Sequence, residues 1–381
     1  MTILLCAALL FCSVLSANES PAPVVIPADH PNIQFIGRVD DSKAGVRRFS
    51  FPGVTIRAQF EAPSIALLLD DESIGDDQHI NVYSILIDNV QRRPVAAVRD
   101  VNRFLIAEGL AAGPHTLEIR KRTESVVGAA QFLGFEFPEG GQILDPPARL
   151  SRRIEFIGDS ITCGYGNMVG SDPPKETFSA INQNHDVAYG ALTAAMLGAE
   201  SHTVAYSGRG VFRSYEGRVI SQMPIIYHRT IADDKLPRWN HRRWTPDVIV
   251  INLGTNDFMQ PGLRDRDFQA AYSHFVDELR TIHPNAVIVC SIGPMLHDNW
   301  PVGENSLTRA RAIIDGIVQE RVQKGDTKIH HHQFEVQTSP YGEAWHPTRA
   351  THRKMAESLS TRLATIMNWG IGTEKVASSQ P

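Results

Sequence analysis

The chain has 381 residues, ordinary apolar content and a formal net charge of −5. That length allows two domains or one large one, and the charge balance, with no long basic run, gives no reason to expect nucleic acid as a partner. After the first sixteen residues no apolar run is long enough to span a bilayer.

Met1 to Ser16 is apolar but short, and small Val14 and Ser16 precede a plausible cleavage after Ser16 or Ala17. This reads as a secretory signal over residues 1–17, although it lacks the usual Lys or Arg at its start. The expectation is therefore a secreted or periplasmic protein with no membrane attachment once the signal is removed. Cys6 and Cys12 lie in that segment, which leaves Cys163 and Cys290. Two cysteines in so long a chain are no disulfide framework, and both are expected as buried free thiols.

Residues 30–143 read as an antiparallel β-sandwich. Val54 to Phe60 alternates with period two, and Ser64 to Leu69, His79 to Ile87 and Pro114 to Arg120 follow between Gly, Pro and Asp turns. Gly140 to Leu150 has the composition of a linker. From 151 to 370 strands and helices alternate. Strands are expected at Ile154–Ile157, His202–Tyr206, Val248–Leu253, Ala286–Ile292 and Lys328–Phe334. Helices are expected at Asp186–Leu197, with Asp186 as N-cap, and at Asp265–Ile282, Ser306–Gln323 and Ala350–Met367. A polar insertion runs from Arg213 to Pro246. Five strands with intervening helices predict a three-layer α/β domain with a parallel sheet.

Ile154-Glu155-Phe156-Ile157-Gly158-Asp159-Ser160 carries the first chemical signal. It places a serine hydroxyl at the carboxyl end of a buried strand, where open α/β sheets form their ligand crevices. An unassisted serine is a poor nucleophile and needs a base. His346, in Trp345-His346-Pro347, is the candidate, and Pro347 restricts its backbone to extended conformations. Asp159 is expected to hold the turn by accepting backbone N–H groups. Acyl transfer further needs donors for a tetrahedral oxyanion. The backbone N–H of Ser160, the backbone N–H of Gly208 (with Gly210 as the alternative) and the side-chain amide of Asn256 are the candidates. The group that orients His346 is open between the Glu343 carboxylate and a backbone carbonyl on Nδ1–H. Trp345 is placed to stack on a sugar ring. No Cys/His spacing matches a zinc site. His330, His331 and His332 sit in a predicted strand whose side chains alternate between faces. Serine and histidine supply nucleophile and base, so no metal or cofactor is expected.

Gly158-Asp159-Ser160, Gly254-Thr255-Asn256-Asp257 and Trp345-His346-Pro347, in that order, resemble the SGNH (GDSL-type) hydrolase superfamily. Ile154 to Asn167, Lys121-Arg122-Thr123-Glu124, Phe132-Leu133-Gly134-Phe135 and Ser207-Gly208-Arg209-Gly210 are most similar to carbohydrate esterase family 2. That resemblance implies a jelly-roll β-sandwich followed by an SGNH domain. It also implies a metal-independent acetyl esterase acting on polysaccharides or oligosaccharides of the xylan and mannan type. Where other members carry Asp two residues before the histidine, this chain has Ala344, which puts a triad in doubt and leaves a Ser-His dyad. Two other readings compete: a lipolytic or general SGNH carboxylesterase, and a glycan-binding protein with a degenerate esterase domain.

Overall fold

The computed structural model describes residues 22–76 and 78–372. The expected signal segment lies outside the described residues.

The N-terminal part is a sandwich of two antiparallel sheets. One runs in the order Gln142–Ile143, Thr55–Glu61, His115–Lys121, Val82–Ile87, Val90–Gln91, with Gln34–Ile36 and Val95–Ala96 at its margins. The other runs Val24–Pro27, Ala130–Phe137, Ser64–Asp71, Arg103–Glu108, and Arg47–Phe49 also pairs with Ala130–Phe137. Burial along His115–Lys121 alternates, as expected of a strand with one face on a core. Phe60, Ile85, Leu117 and Ile119 from one sheet meet Ile65, Leu67, Phe132, Phe135 and Phe137 from the other. Each such side chain contributes about 1.5–3 kcal/mol by leaving water.

One boundary differs from the sequence reading. Val24–Pro27 precedes the expected start at 30, yet pairs with Gly134 to Phe137. It is a short edge segment that the neighbouring strand recruits. Gln142–Ile143, at the expected end of the sandwich, pairs with Glu61 and Phe60.

The C-terminal part has a five-stranded parallel sheet. Its order is Ala199–Ala205, Arg152–Gly158, Val248–Asn252, Val287–Ile292, Ile329–Gln333. Strand residues alternate between two cores. Ile154, Phe156, Val248 and Val250 face the helices Tyr189–Leu197 and Arg349–Met367. Ile157, Ile249, Ile251 and Ile288 face Asp265–Ile282 and Ser306–Gln323. Both faces being covered explains why these strands read as continuous apolar runs.

The helix expected from Asp186 begins later, at Tyr189, after a 3₁₀ turn His185–Val187 capped by Asn184. Asp186 does not cap it, because its carboxylate instead accepts a hydrogen bond from Ser84 of the sandwich. The insertion 213–246 is not a polar appendage. It buries Ile226, Tyr227 and Ile231 and joins the two parts of the molecule. Among the described residues no helix is long and apolar enough to cross a membrane.

Candidate active site

The strand Arg152–Gly158 stops where Gly158 meets the helical turn Ser160–Cys163. A Cβ on Gly158 would overlap the Thr162 side chain, so only glycine lets the chain turn this tightly. Asp159 is the N-cap, and its Oδ1 accepts the Ile161 N–H at 3.0 Å, the structural role expected of it. Ser160 therefore sits at the first helical position, at the carboxyl end of the sheet.

His346 comes from the other side of the sheet mouth. Its Nε2 lies 2.7 Å from Ser160 Oγ. Its Nδ1 lies 2.9 Å from the Glu343 carbonyl oxygen and 3.0 Å from that of Ala344. Carbonyls only accept, so the proton resides on Nδ1 and Nε2 is left as acceptor for the serine hydroxyl. The two carbonyls are aimed by an uncommon backbone: Ala344 and Trp345 adopt φ of 46° and 65°. Two successive left-handed non-glycine residues cost about 1–3 kcal/mol each, strain of the kind that gathers at functional sites. Tyr165 stacks on the imidazole at 4.2 Å between ring centroids and rests in turn on Phe178. Burial drives the His346 pKa down to about 4, against the opposing pull of its two carbonyl acceptors.

The Glu343 carboxylate does not support the ring. Its Oε2 accepts the Ser179 N–H at 3.0 Å and its Oε1 accepts the Asn182 amide at 2.6 Å, on the side away from His346. Glu343 meets the imidazole through its main chain, so of the two orienting groups left open by the sequence a backbone carbonyl, not the Glu343 carboxylate, lies on Nδ1.

Around the serine, the N–H groups of Ser160 and Gly208 donate to no other group among the described residues. Gly208 has a φ of 75° and follows the strand Ala199–Ala205. Asn256 is close by, but its amide nitrogen lies 3.1 Å from Asp159 Oδ2 and 3.1 Å from the Arg209 carbonyl. Both its hydrogens are committed in the free site. Asp257 is fully buried and accepts the N–H groups of Val211, Phe212 and Arg213 at 3.0, 2.8 and 2.9 Å. Gly210, the alternative donor, is instead the point of closest approach: a Cβ there would strike the Arg213 carbonyl and the Asp257 carboxylate. Burial pushes Asp257 up to about 6 and Asp159 up to about 7, the latter further raised by Asp257.

Beside the dyad, Met259, Met295, Trp300, Tyr341, Ala344 and Trp345 line a cleft of about 420 Å³. Trp345 is 47% exposed and tilted against Tyr341, with 5.0 Å between ring centroids. The three consecutive histidines are apart from all of this: His331 Nδ1 pairs with Asp315 at 2.6 Å. Among the described residues no group of His, Cys, Asp and Glu is arranged to hold a metal ion.

Residues 35–147 match the carbohydrate esterase 2 N-terminal family, and residues 156–354 match the GDSL-like lipase/acylhydrolase family. The chain belongs to carbohydrate esterase family 2. It is a carboxylic ester hydrolase of that family, with the two-part architecture just described. The chain is 34% identical to cellulase/esterase CelE of Acetivibrio thermocellus over 355 residues, 93% of this chain but 41% of the relative. It thus spans about two fifths of that protein. An acetylxylan esterase/glucomannan deacetylase of Cellvibrio japonicus is 29% identical, with 90% of this chain and 91% of the relative covered. Among solved structures, a family two carbohydrate esterase from Clostridium thermocellum in complex with cellohexaose superimposes with a TM-score of 0.81. That match has 33% identity and covers 89% of this chain and 100% of that one.

Two residues at this family 2 site have no role in the sequence reading. Tyr165 carries no pattern that would mark it as a ring partner of His346. Glu124, from the sandwich, is legible only within the Lys121-Arg122-Thr123-Glu124 resemblance, without a function.

Proposed function

We propose that this chain is a secreted or periplasmic esterase that removes O-acetyl groups from polysaccharides or oligosaccharides of the xylan and mannan type. The observation that carries the chemistry is the 2.7 Å contact between His346 Nε2 and Ser160 Oγ, with the opposite ring nitrogen on two carbonyls. The relatives named above, one an acetylxylan esterase/glucomannan deacetylase and one crystallised with cellohexaose, support the carbohydrate assignment.

In this reading Ser160 Oγ attacks the acetyl carbonyl as its proton passes to His346 Nε2. The Glu343 and Ala344 carbonyls hold Nδ1–H and stabilise the imidazolium through their dipoles. The N–H groups of Ser160 and Gly208 receive the oxyanion, and such donors act mainly in the transition state. Asn256 joins them by giving up one of its two present contacts. Collapse breaks the bond to the sugar oxygen, which takes the proton back from Nε2 and leaves an acetyl-enzyme. Water then repeats the sequence, releasing acetate and restoring Ser160. Trp345 and Trp300 offer flat faces for the sugar rings next to the dyad.

The test is acetate release from acetylated xylan and glucomannan. Ser160→Ala and His346→Ala are each expected to cost several orders of magnitude, and the double variant little more, because the pair acts as one unit. Near-normal turnover in either single variant rejects the assignment. Faster cleavage of octanoyl than acetyl esters moves the enzyme to the lipolytic reading.

A further inference from the structure

We infer that Glu124, a residue of the β-sandwich, positions the Gly208 oxyanion donor of the catalytic domain by anchoring the peptide that precedes it. This rests on the acyl-transfer reading above.

Glu124 has no exposed surface. Its Oε2 accepts the Ser207 N–H at 2.9 Å, and its Oε1 accepts the Ser207 hydroxyl at 2.5 Å and the Gln183 amide at 3.1 Å. The main chain of Glu124 is held as firmly. Its N–H donates to Gln183 Oε1 at 3.3 Å, while the buried Lys121 ammonium donates to the carbonyls of Thr123 and Glu124 at 2.8 and 3.1 Å.

Across the loop stands Asp257, which holds Val211, Phe212 and Arg213. The loop is thus clamped by two buried carboxylates, one from each part of the molecule. Gly208 lies between the clamps, next in chain to the residue that Glu124 grips. Its N–H is left without a protein partner among the described residues. A glycine at φ 75° has no side chain to fix its peptide plane, so the direction of that N–H depends on what holds its neighbours. Mere adhesion between the two parts would be served by an apolar side chain, since burying a carboxylate is costly even when it is hydrogen-bonded. Three donors converging on this one fit a group kept for geometry.

The experiment compares Glu124→Ala and Glu124→Gln in the full chain. kcat is measured per Ser160 titrated in the acyl-enzyme burst, so a misfolded fraction is not counted. Removing an oxyanion donor outright costs on the order of a hundredfold to a thousandfold. Loosening one is expected to cost about 30-fold or more in kcat for Glu124→Ala, with KM within threefold. Glu124→Gln keeps one acceptor oxygen but cannot serve both donors of Ser207, and is expected to lose about 5- to 20-fold. Inactivation of Ser160 by an alkyl phosphonate, whose P–O oxygen enters the same hole, should slow by matching factors. A folded Glu124→Gln with kcat within twofold of the parent overturns the inference, whatever becomes of the alanine variant. So does a loss that falls wholly in KM. Ser160→Ala separates the two levels: if it stays active, the esterase reading itself fails, whereas a dead Ser160→Ala beside normal Glu124 variants sinks this inference alone.

Discussion

At the scale of single residues, the group behind His346 decides how its ring titrates. A carboxylate beside an imidazole stabilises its charged form and raises its pKa, whereas burial disfavours the charge and outweighs the upward pull of the two carbonyls on Nδ1. The His346 ring is held down to about 4, so it is neutral and competent as a base at every pH above that range. Nitrogen NMR of the labelled imidazole should show His346 titrating below pH 5. Glu343→Gln should leave that titration in place and change kcat by less than about threefold, because the carbonyl on Nδ1 belongs to the main chain. The same variant loses one acceptor for Ser179 or Asn182 and should cost about 1–3 kcal/mol of stability. A hundredfold fall in kcat, or a further drop in the ring's pKa, would restore the carboxylate to the triad. Ser160 and His346 were readable because their spacing and context are local. The part of Glu343 was not, since side chain and carbonyl of one residue face opposite ways and sequence does not distinguish them.

At the scale of elements, the 207–213 loop is the piece whose shape matters most. Gly210→Ala would push a methyl into the Arg213 carbonyl and the Asp257 carboxylate, two groups that cannot both retreat while Asp257 holds three N–H donors. The expected outcome is at least a thirtyfold fall in kcat/KM with a stability loss of about 1–3 kcal/mol, the range for an overpacked site. Activity within threefold of the parent would show that the loop adapts and that Asp257 does not set its path. The helices Asp265–Ile282 and Ser306–Gln323 match the sequence reading end to end, because their apolar spacing is self-contained. The start of Tyr189–Leu197 does not, because Asp186, a good cap in isolation, is drawn to Ser84 across the interface.

At the scale of the whole molecule, the sandwich and the α/β domain share buried polar contacts as well as an apolar core. Arg38 of the sandwich is fully buried, donates to the carbonyls of Tyr227 and Arg229, and pairs with Glu155 at 3.1 Å. Glu155 lies on the strand that leads to Ser160 and also accepts the Tyr227 hydroxyl at 2.8 Å. Arg38→Met leaves that carboxylate unpaired and should destabilise by about 3–5 kcal/mol, with Arg38→Met/Glu155→Gln recovering part of it. Chemical denaturation followed by tryptophan fluorescence measures this. A change under 1 kcal/mol would mean the two parts do not depend on each other through this pair. Sequence by itself determined the β-then-α/β order, the catalytic serine and histidine candidates and the three long helices Asp265–Ile282, Ser306–Gln323 and, to within a residue, Arg349–Met367. Period, turn chemistry and strand-end placement are properties of a few neighbouring residues. Tertiary structure alone decided that a backbone carbonyl supports His346, that Asn256 is committed elsewhere, and that Glu124 reaches Ser207 from 83 positions away in the chain. Those contacts join residues remote in sequence, and a buried polar group finds its partner only once the fold has removed water as the alternative.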